Sequence, residues 1–182
     1  MMLQKLSKKI LIDWCGWTVD VTEPHPDKYI IALAPHTSNW DFIIGQLFSH
    51  YLGIRINFMM KRSWFFWPMG ILMRHLGGIP VRQSKHMNAT ERIIREAKGR
   101  KEFRLCITPE GTRRATTRWR TGFYYIALGA KIPILLYGLD FERRLIQCRK
   151  TVIPSGDIEK DMAEIKEYFR QYKGKKPEKF AV

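Results

Sequence analysis

The stretch "KYIIALAPHTSNWDFIIG", residues 28–45, restricts the fold more than any other part of the chain. Tyr29 to Ala34 is an unbroken apolar run, too short for a buried helix and without polar alternation, so it reads as a strand covered on both faces. Pro35 halts it. A polar turn then opens a helix over residues 39–52, with Ser38 or Asn39 as its cap and Asp41 in its first turn. The pattern recurs: "IRINFMMK" (54–61), "GGIPVR" (77–82) and "FRLCITP" (103–109) read as strands, with a short apolar helix before the second. Asn88 to Lys98 reads as a polar helix with Ile93, Ile94 and Ala97 facing inward, and a further helix falls at about 119–129. "KIPILLYGLDF" and "RLIQCRKTVI" flank an Asp-Phe-Glu-Arg turn and predict an edge hairpin near 132–153. Residues 157–172 form a last amphipathic helix, and "KGKKPEKFAV" a loose basic tail. Strands alternating with helices predict an α/β fold, a single domain with a largely parallel central sheet flanked by helices. A chain of 182 residues suits one such core.

At the N-terminus Leu3, Leu6, Ile10, Trp14 and Trp17 recur at helical spacing, with Lys5, Lys8 and Lys9 between them. This is an amphipathic helix with a basic side. It either packs on the domain or rests on an anionic membrane with its tryptophans at the interface, and both hold if it packs by one edge. The charge balance points the same way. Lys+Arg 32 against Asp+Glu 17 leaves +15, so an anionic partner is expected: nucleic acid, anionic lipid or a phosphorylated small molecule. No recognition-helix signature, zinc pattern or RNP-like aromatic motif is present, so no nucleic-acid partner is expected.

The N-terminus lacks the apolar core and cleavage site of a signal peptide. No apolar run approaches the roughly 20 residues that span a bilayer; the longest, "WFFWPMGILM" (64–73), is broken by Pro68. Its aromatics Trp64, Phe65, Phe66 and Trp67, rimmed by Lys61, Arg62 and Arg74, exceed what a short helix buries and suit a membrane surface or an acyl chain. Cys15, Cys106 and Cys148 are scattered and form no metal-binding spacing, so they read as reduced structural thiols with no metal site.

Two loops at strand ends carry functional groups, where parallel sheets place their sites. In "PHTSNWD" His36 follows the strand and Asp41 lies one helical turn on. The carboxylate can hold one ring nitrogen and leave the other as a general base; the same residues also suit a capped helix behind a polar turn. In "TPEGTRR" (108–114) Gly111 permits close approach, and Arg113 and Arg114 suit a phosphate. A solvated Glu–Arg loop has the same composition.

Taken in order, these stretches resemble the glycerolipid acyltransferases of the 1-acylglycerol-3-phosphate acyltransferase type. His36 and Asp41 match the family's His-x4-Asp motif. Lys61, Pro68, Gly70 and "GGIPV" (77–81) follow its second motif. Pro109 to Arg113 complete Pro-Glu-Gly-Thr-Arg, and "WRTGFYYIALGAKIPI" (119–134) resembles the downstream stretch, with Arg120 for a lysine and Pro133 at the fourth-motif proline. The likeness covers roughly residues 28–140.

The resemblance implies transfer of a fatty acyl group from acyl-CoA or acyl-carrier protein, as donor substrate, to a lysophospholipid hydroxyl, by default that of 1-acyl-sn-glycerol-3-phosphate. It implies no cofactor. His36 would act as base and Asp41 as its orienter, while Glu110, Gly111, Thr112, Arg113, Arg82 and Lys61 would bind the acceptor and its phosphate. Trp14, Trp17 and Trp64 to Trp67 would contact membrane or acyl chain. The expected organisation is a membrane-associating helix over 1–20, an acyltransferase domain over 21–173 and a basic tail over 174–182. The expected location is peripheral, on an anionic membrane surface at the cytoplasmic face of the inner membrane. One departure concerns Val81-Arg82-Gln83: the family's arginine stands one residue later. In a strand that slip reverses the side chain's face, unless the strand ends at Pro80. A different acceptor, such as a lyso-aminolipid, and a non-catalytic lipid-binding or nucleic-acid-binding module are the competing expectations.

Overall fold

The computed structural model describes residues 2–81 and 87–182. The N-terminal helix α1 (Met2–Lys8) continues into a π-helical segment, Lys9–Trp14. Then follow β1 (Thr18–Val21), β2 (Lys28–Ala34), α2 (Trp40–Leu52), β3 (Asn57–Lys61), α3 (Met69–His75) and β4 (Gly78–Val81). The second half carries α4 (Met87–Gly99), β5 (Phe103–Ile107), α5 (Gly122–Ala130), β6 (Ile134–Asp140), β7 (Leu145–Cys148), β8 (Thr151–Val152) and α6 (Ile158–Phe169).

The sheet runs β1-β7-β6-β2-β5-β3-β4, with β8 also on β6. Strands β6, β2, β5, β3 and β4 pair in parallel, and β7 turns back against β6. The period of two along β2 and β6 builds two cores. Ile30, Ala32, Ala34, Ile134 and Leu136 join Ile93, Phe123, Ile165 and Phe169 from α4, α5 and α6 on one face. Tyr29, Ile31, Leu135, Tyr137 and Leu139 join Leu11, Ile44 and Phe48 from the N-terminal segment and α2 on the other. Both faces are therefore covered, as the unbroken apolar strands require.

Several expectations are corrected. The hairpin of β6 and β7 exists, but it does not form the sheet edge, because β1 pairs in parallel outside β7, Thr18 opposite Leu145. Its strand also crosses the boundary drawn at residue 20. The N-terminal stripe is divided: Ser7 and Leu11 are buried, whereas Met2, Leu3, Leu6 and Trp14 are exposed. The wider π turns displace the 3.6-residue periodicity from which one face was read. Trp17 is buried at 5% exposure and packs edge-to-face on Phe141, 5.0 Å between ring centres, so it is core and no membrane contact. The tail is ordered, since Phe180 and Val182 pack against the first core.

At the opposite edge, Pro80 sits in β4, where its missing N–H costs no ladder bond. The strand continues to Val81, opposite Lys61. It does not end at Pro80. Arg82 lies outside the described residues.

Candidate active site

Because β2, β5, β3 and β4 are adjacent and parallel, their carboxyl ends open on one side of the sheet. His36 follows β2, Glu110 to Arg113 follow β5, and Lys61 ends β3. The topology thus brings together residues far apart in the chain.

Asp41 is buried at 1% exposure in the first turn of α2 and reaches back over the loop. Its Oδ2 accepts the Thr37 and Ser38 backbone N–H groups at 2.8 Å each, and His36 Nδ1 at 3.1 Å. Its Oδ1 accepts Ser38 Oγ at 3.3 Å. A carboxylate oxygen that takes two N–H groups acts towards the ring as acceptor, so Nδ1 carries the proton and Nε2 keeps its lone pair. The His36 side chain is 23% exposed. Among the described residues none hydrogen-bonds Nε2.

The caps differ from expectation in detail. Ser38 Oγ accepts the Trp40 N–H at 3.0 Å. Asn39 occupies the cap position without a side-chain cap bond; its Oδ1 instead accepts Arg113 Nη1. That bond ties the β5 loop to the β2 loop.

A second tie is deeper. Glu110, 4% exposed, accepts the His36 backbone N–H with both oxygens, at 2.8 and 3.1 Å. Burial pushes its carboxyl up to about 8, the His36 N–H opposes the shift, and the Asp41 charge adds to it. Glu110, expected among the acceptor's contacts, faces the His36 main chain, and its carboxyl holds the loop that carries the imidazole. Gly111 has φ +63°, and a Cβ there would stand 2.8 Å from Arg120 Cγ. Thr112 Oγ1 accepts the Arg114 N–H at 3.3 Å, and Arg113 is exposed at the mouth.

The remaining candidates divide. Lys61 is exposed at the end of β3, two strands from His36. Trp64, Phe66 and Trp67 are exposed, with Ile71 and Leu72 beside them on α3, while Phe65 is half-buried under the Arg74 guanidinium. Trp40 and Ile43 on α2 are also exposed. An apolar cavity of about 80 Å³ lies between α2 and the sheet, walled by Ile31, Leu33, Phe42, Phe48 and Tyr137 and reaching Asp41. No helix among the described residues is long and apolar enough to cross a membrane. Among them, no three His, Cys, Asp or Glu side chains are arranged to hold a metal ion.

Sequence reasoning missed the part played by residues 173–182, which line the mouth through Lys175, Lys176 and Lys179. Beside Phe180 and Val182, which pack on the core, their anchors are main-chain atoms and a glycine, which leave no side-chain pattern.

The acyltransferase family profile matches residues 17–136, a window that holds both loops. No curated protein matches the chain in sequence. Among solved structures, the crystal structure of the 1-acyl-sn-glycerophosphate (LPA) acyltransferase PlsC from Thermotoga maritima is similar, with a TM-score of 0.64 at 16% identity. The match covers 93% of this chain and 76% of that one. At such identity the likeness shows the fold alone.

Proposed function

The chain belongs to the acyltransferase family, and on that premise we propose that it moves a fatty acyl group from acyl-CoA or acyl-carrier protein to the hydroxyl of a lysophospholipid, by default 1-acyl-sn-glycerol-3-phosphate. The carrying observation is the His36–Asp41 pair: a partly exposed imidazole whose Nδ1 is fixed by a buried carboxylate. The acceptor hydroxyl gives its proton to His36 Nε2 as its oxygen attacks the thioester carbonyl carbon. The carbon–sulfur bond then breaks, and the leaving thiolate takes the proton back from the imidazolium. No acyl-enzyme forms in this scheme.

The exposure of Arg113 beside the His36 loop supports a contact with the acceptor's phosphate, and the exposed Lys61 two strands away supports a further one. Asp41 and Glu110 act as positioning residues for the imidazole and its main chain. The apolar cavity beside Asp41 offers walls for the first part of an acyl chain. Met2, Leu3, Leu6 and Trp14, with Lys5, Lys8 and Lys9, support a peripheral hold on an anionic bilayer, at the cytoplasmic face of the inner membrane; Trp64, Phe66 and Trp67 support a second.

Thiol-release kinetics on purified protein test this reading, with both donors and a panel of lyso-lipid acceptors. Release that depends on acceptor and disappears in His36→Ala is expected. Transfer at the wild-type rate in that variant would sink the mechanism.

A further inference from the structure

The C-terminal segment is bound across the mouth of the site. Gly174 is buried against the His36–Asp41 loop, and a Cβ there would lie 2.6 Å from Thr37 Oγ1 and 3.1 Å from Pro35 Cβ. Two residues on, the Lys176 N–H donates to Thr37 Oγ1 at 3.2 Å. After a 3-10 turn over Pro177–Lys179, Phe180 packs on Trp119, and Trp119 Nε1 donates to the Ala181 carbonyl at 3.1 Å. The segment is pinned on either side of its lysines.

Between these pins lies a pocket of about 400 Å³. Lys175, Lys176 and Lys179 line it from the tail, Arg113 from the β5 loop, and Thr37 to Trp40 from the β2 loop. Among the described residues no carboxylate lines it. Among the described residues none of the four cations forms an ion pair. Lys175 Nζ rests 4.3 Å from the Trp40 ring centre, which holds the ammonium in place without neutralising it. The loop amides of Thr37 and Ser38 are taken by Asp41, so the side-chain cations form the recognition surface. Four positive charges around one concavity repel one another, and a multiply charged anion relieves that repulsion. A concave pocket admits a single phosphate group where a flat bilayer would not need one.

We propose that the C-terminal segment completes a subsite for a phosphate ester carried by a substrate, either the acceptor's headgroup or the donor's nucleotide, beside the general base. The proposal takes its substrates from the acyl-transfer reading, but its binding chemistry stands apart from it.

The test compares wild type with the Lys175→Ala/Lys176→Ala/Lys179→Ala triple variant. A second triple, Lys98→Ala/Lys101→Ala/Lys160→Ala, removes the same charge from exposed positions elsewhere. Calorimetric titration with inorganic pyrophosphate reads the subsite without catalysis. About tenfold weaker binding is expected in the tail triple only, and Gly174→Val, which displaces the segment and keeps every charge, is expected to reproduce the loss. In kinetics, a raised KM for phosphate-bearing acceptors, but not for a phosphate-free monoacylglycerol, assigns the subsite to the acceptor. A raised KM for acyl-CoA, but not for acyl-pantetheine, assigns it to the donor. Either result supports the proposal. Equal pyrophosphate binding in wild type and the tail triple overturns it, as does a change confined to flotation on anionic vesicles. Should wild type transfer no acyl group, the functional reading fails while the pyrophosphate arm still decides the subsite.

Discussion

The carboxylate of Glu110 accepts the backbone N–H of His36 at 2.8 Å, across 74 residues of chain. The loops that follow β2 and β5 are therefore one unit, and the imidazole is positioned from below by Glu110 and from the side by Asp41.

Removing the base or its orienter separates their effects. His36→Ala is expected to lower kcat by about 10²–10⁴-fold, the usual contribution of a positioned general base. Asp41→Asn loses the charge while keeping the shape, and a fall of about a hundredfold is expected, with KM for the acceptor little changed. Steady-state thiol release on both variants checks the split.

Glu110 has a signature in pH. Its folded carboxyl lies at about 8, above the 4.5 of the free group, so the folded state holds the extra proton between those values. Stability from this residue is full below about 4.5 and falls as pH rises towards 8, by at most about 1.4 kcal/mol per unit. Denaturant unfolding at a series of pH values should show this slope in wild type and not in Glu110→Gln. An identical slope in both would assign it to other groups.

Two tryptophans three residues apart should behave oppositely. Trp17→Ala empties a buried, edge-to-face site and is expected to cost about 3–5 kcal/mol of stability. Trp14 is 68% exposed, so Trp14→Ala is expected to leave unfolding unchanged. On vesicles containing anionic lipid it is expected to weaken flotation about tenfold or more. Loss of stability without loss of flotation in Trp14→Ala would exclude this helix as the membrane contact.

The cysteines test the absence of a covalent intermediate. Burial pushes the Cys106 and Cys148 thiols up to about 12, whereas Cys15 is exposed. Ellman's reagent should titrate Cys15 alone in the native protein, and Cys15→Ser should retain full transfer.

Much of the architecture was legible because its segments are locally consistent. The runs of β2 and β5 are apolar throughout, and α4 and α6 keep a clear helical period. Strand β1 was not legible. "TVDV" is four residues long, carries Asp20, and finds its partner 127 positions away at β7. The site was read as two loops with chemistry, and the parallel strand order brings those two loops side by side. What stayed hidden were bonds to main-chain atoms: Glu110 to the His36 N–H, and the Lys176 N–H to Thr37. A backbone amide has no letter of its own in a sequence.

The order of the strands also works as a ruler. Neighbouring strands stand about 4.8 Å apart; β5, which leads into the Arg113 loop, is one strand step from β2, and β3, which ends at Lys61, is two. An anion gripped by Arg113 and one gripped by Lys61 are separated from the reacting hydroxyl by different numbers of bonds. On the proposed reading, moving the phosphate contact from Arg113 to Lys61 would lengthen the acceptor that His36 can serve by one strand step.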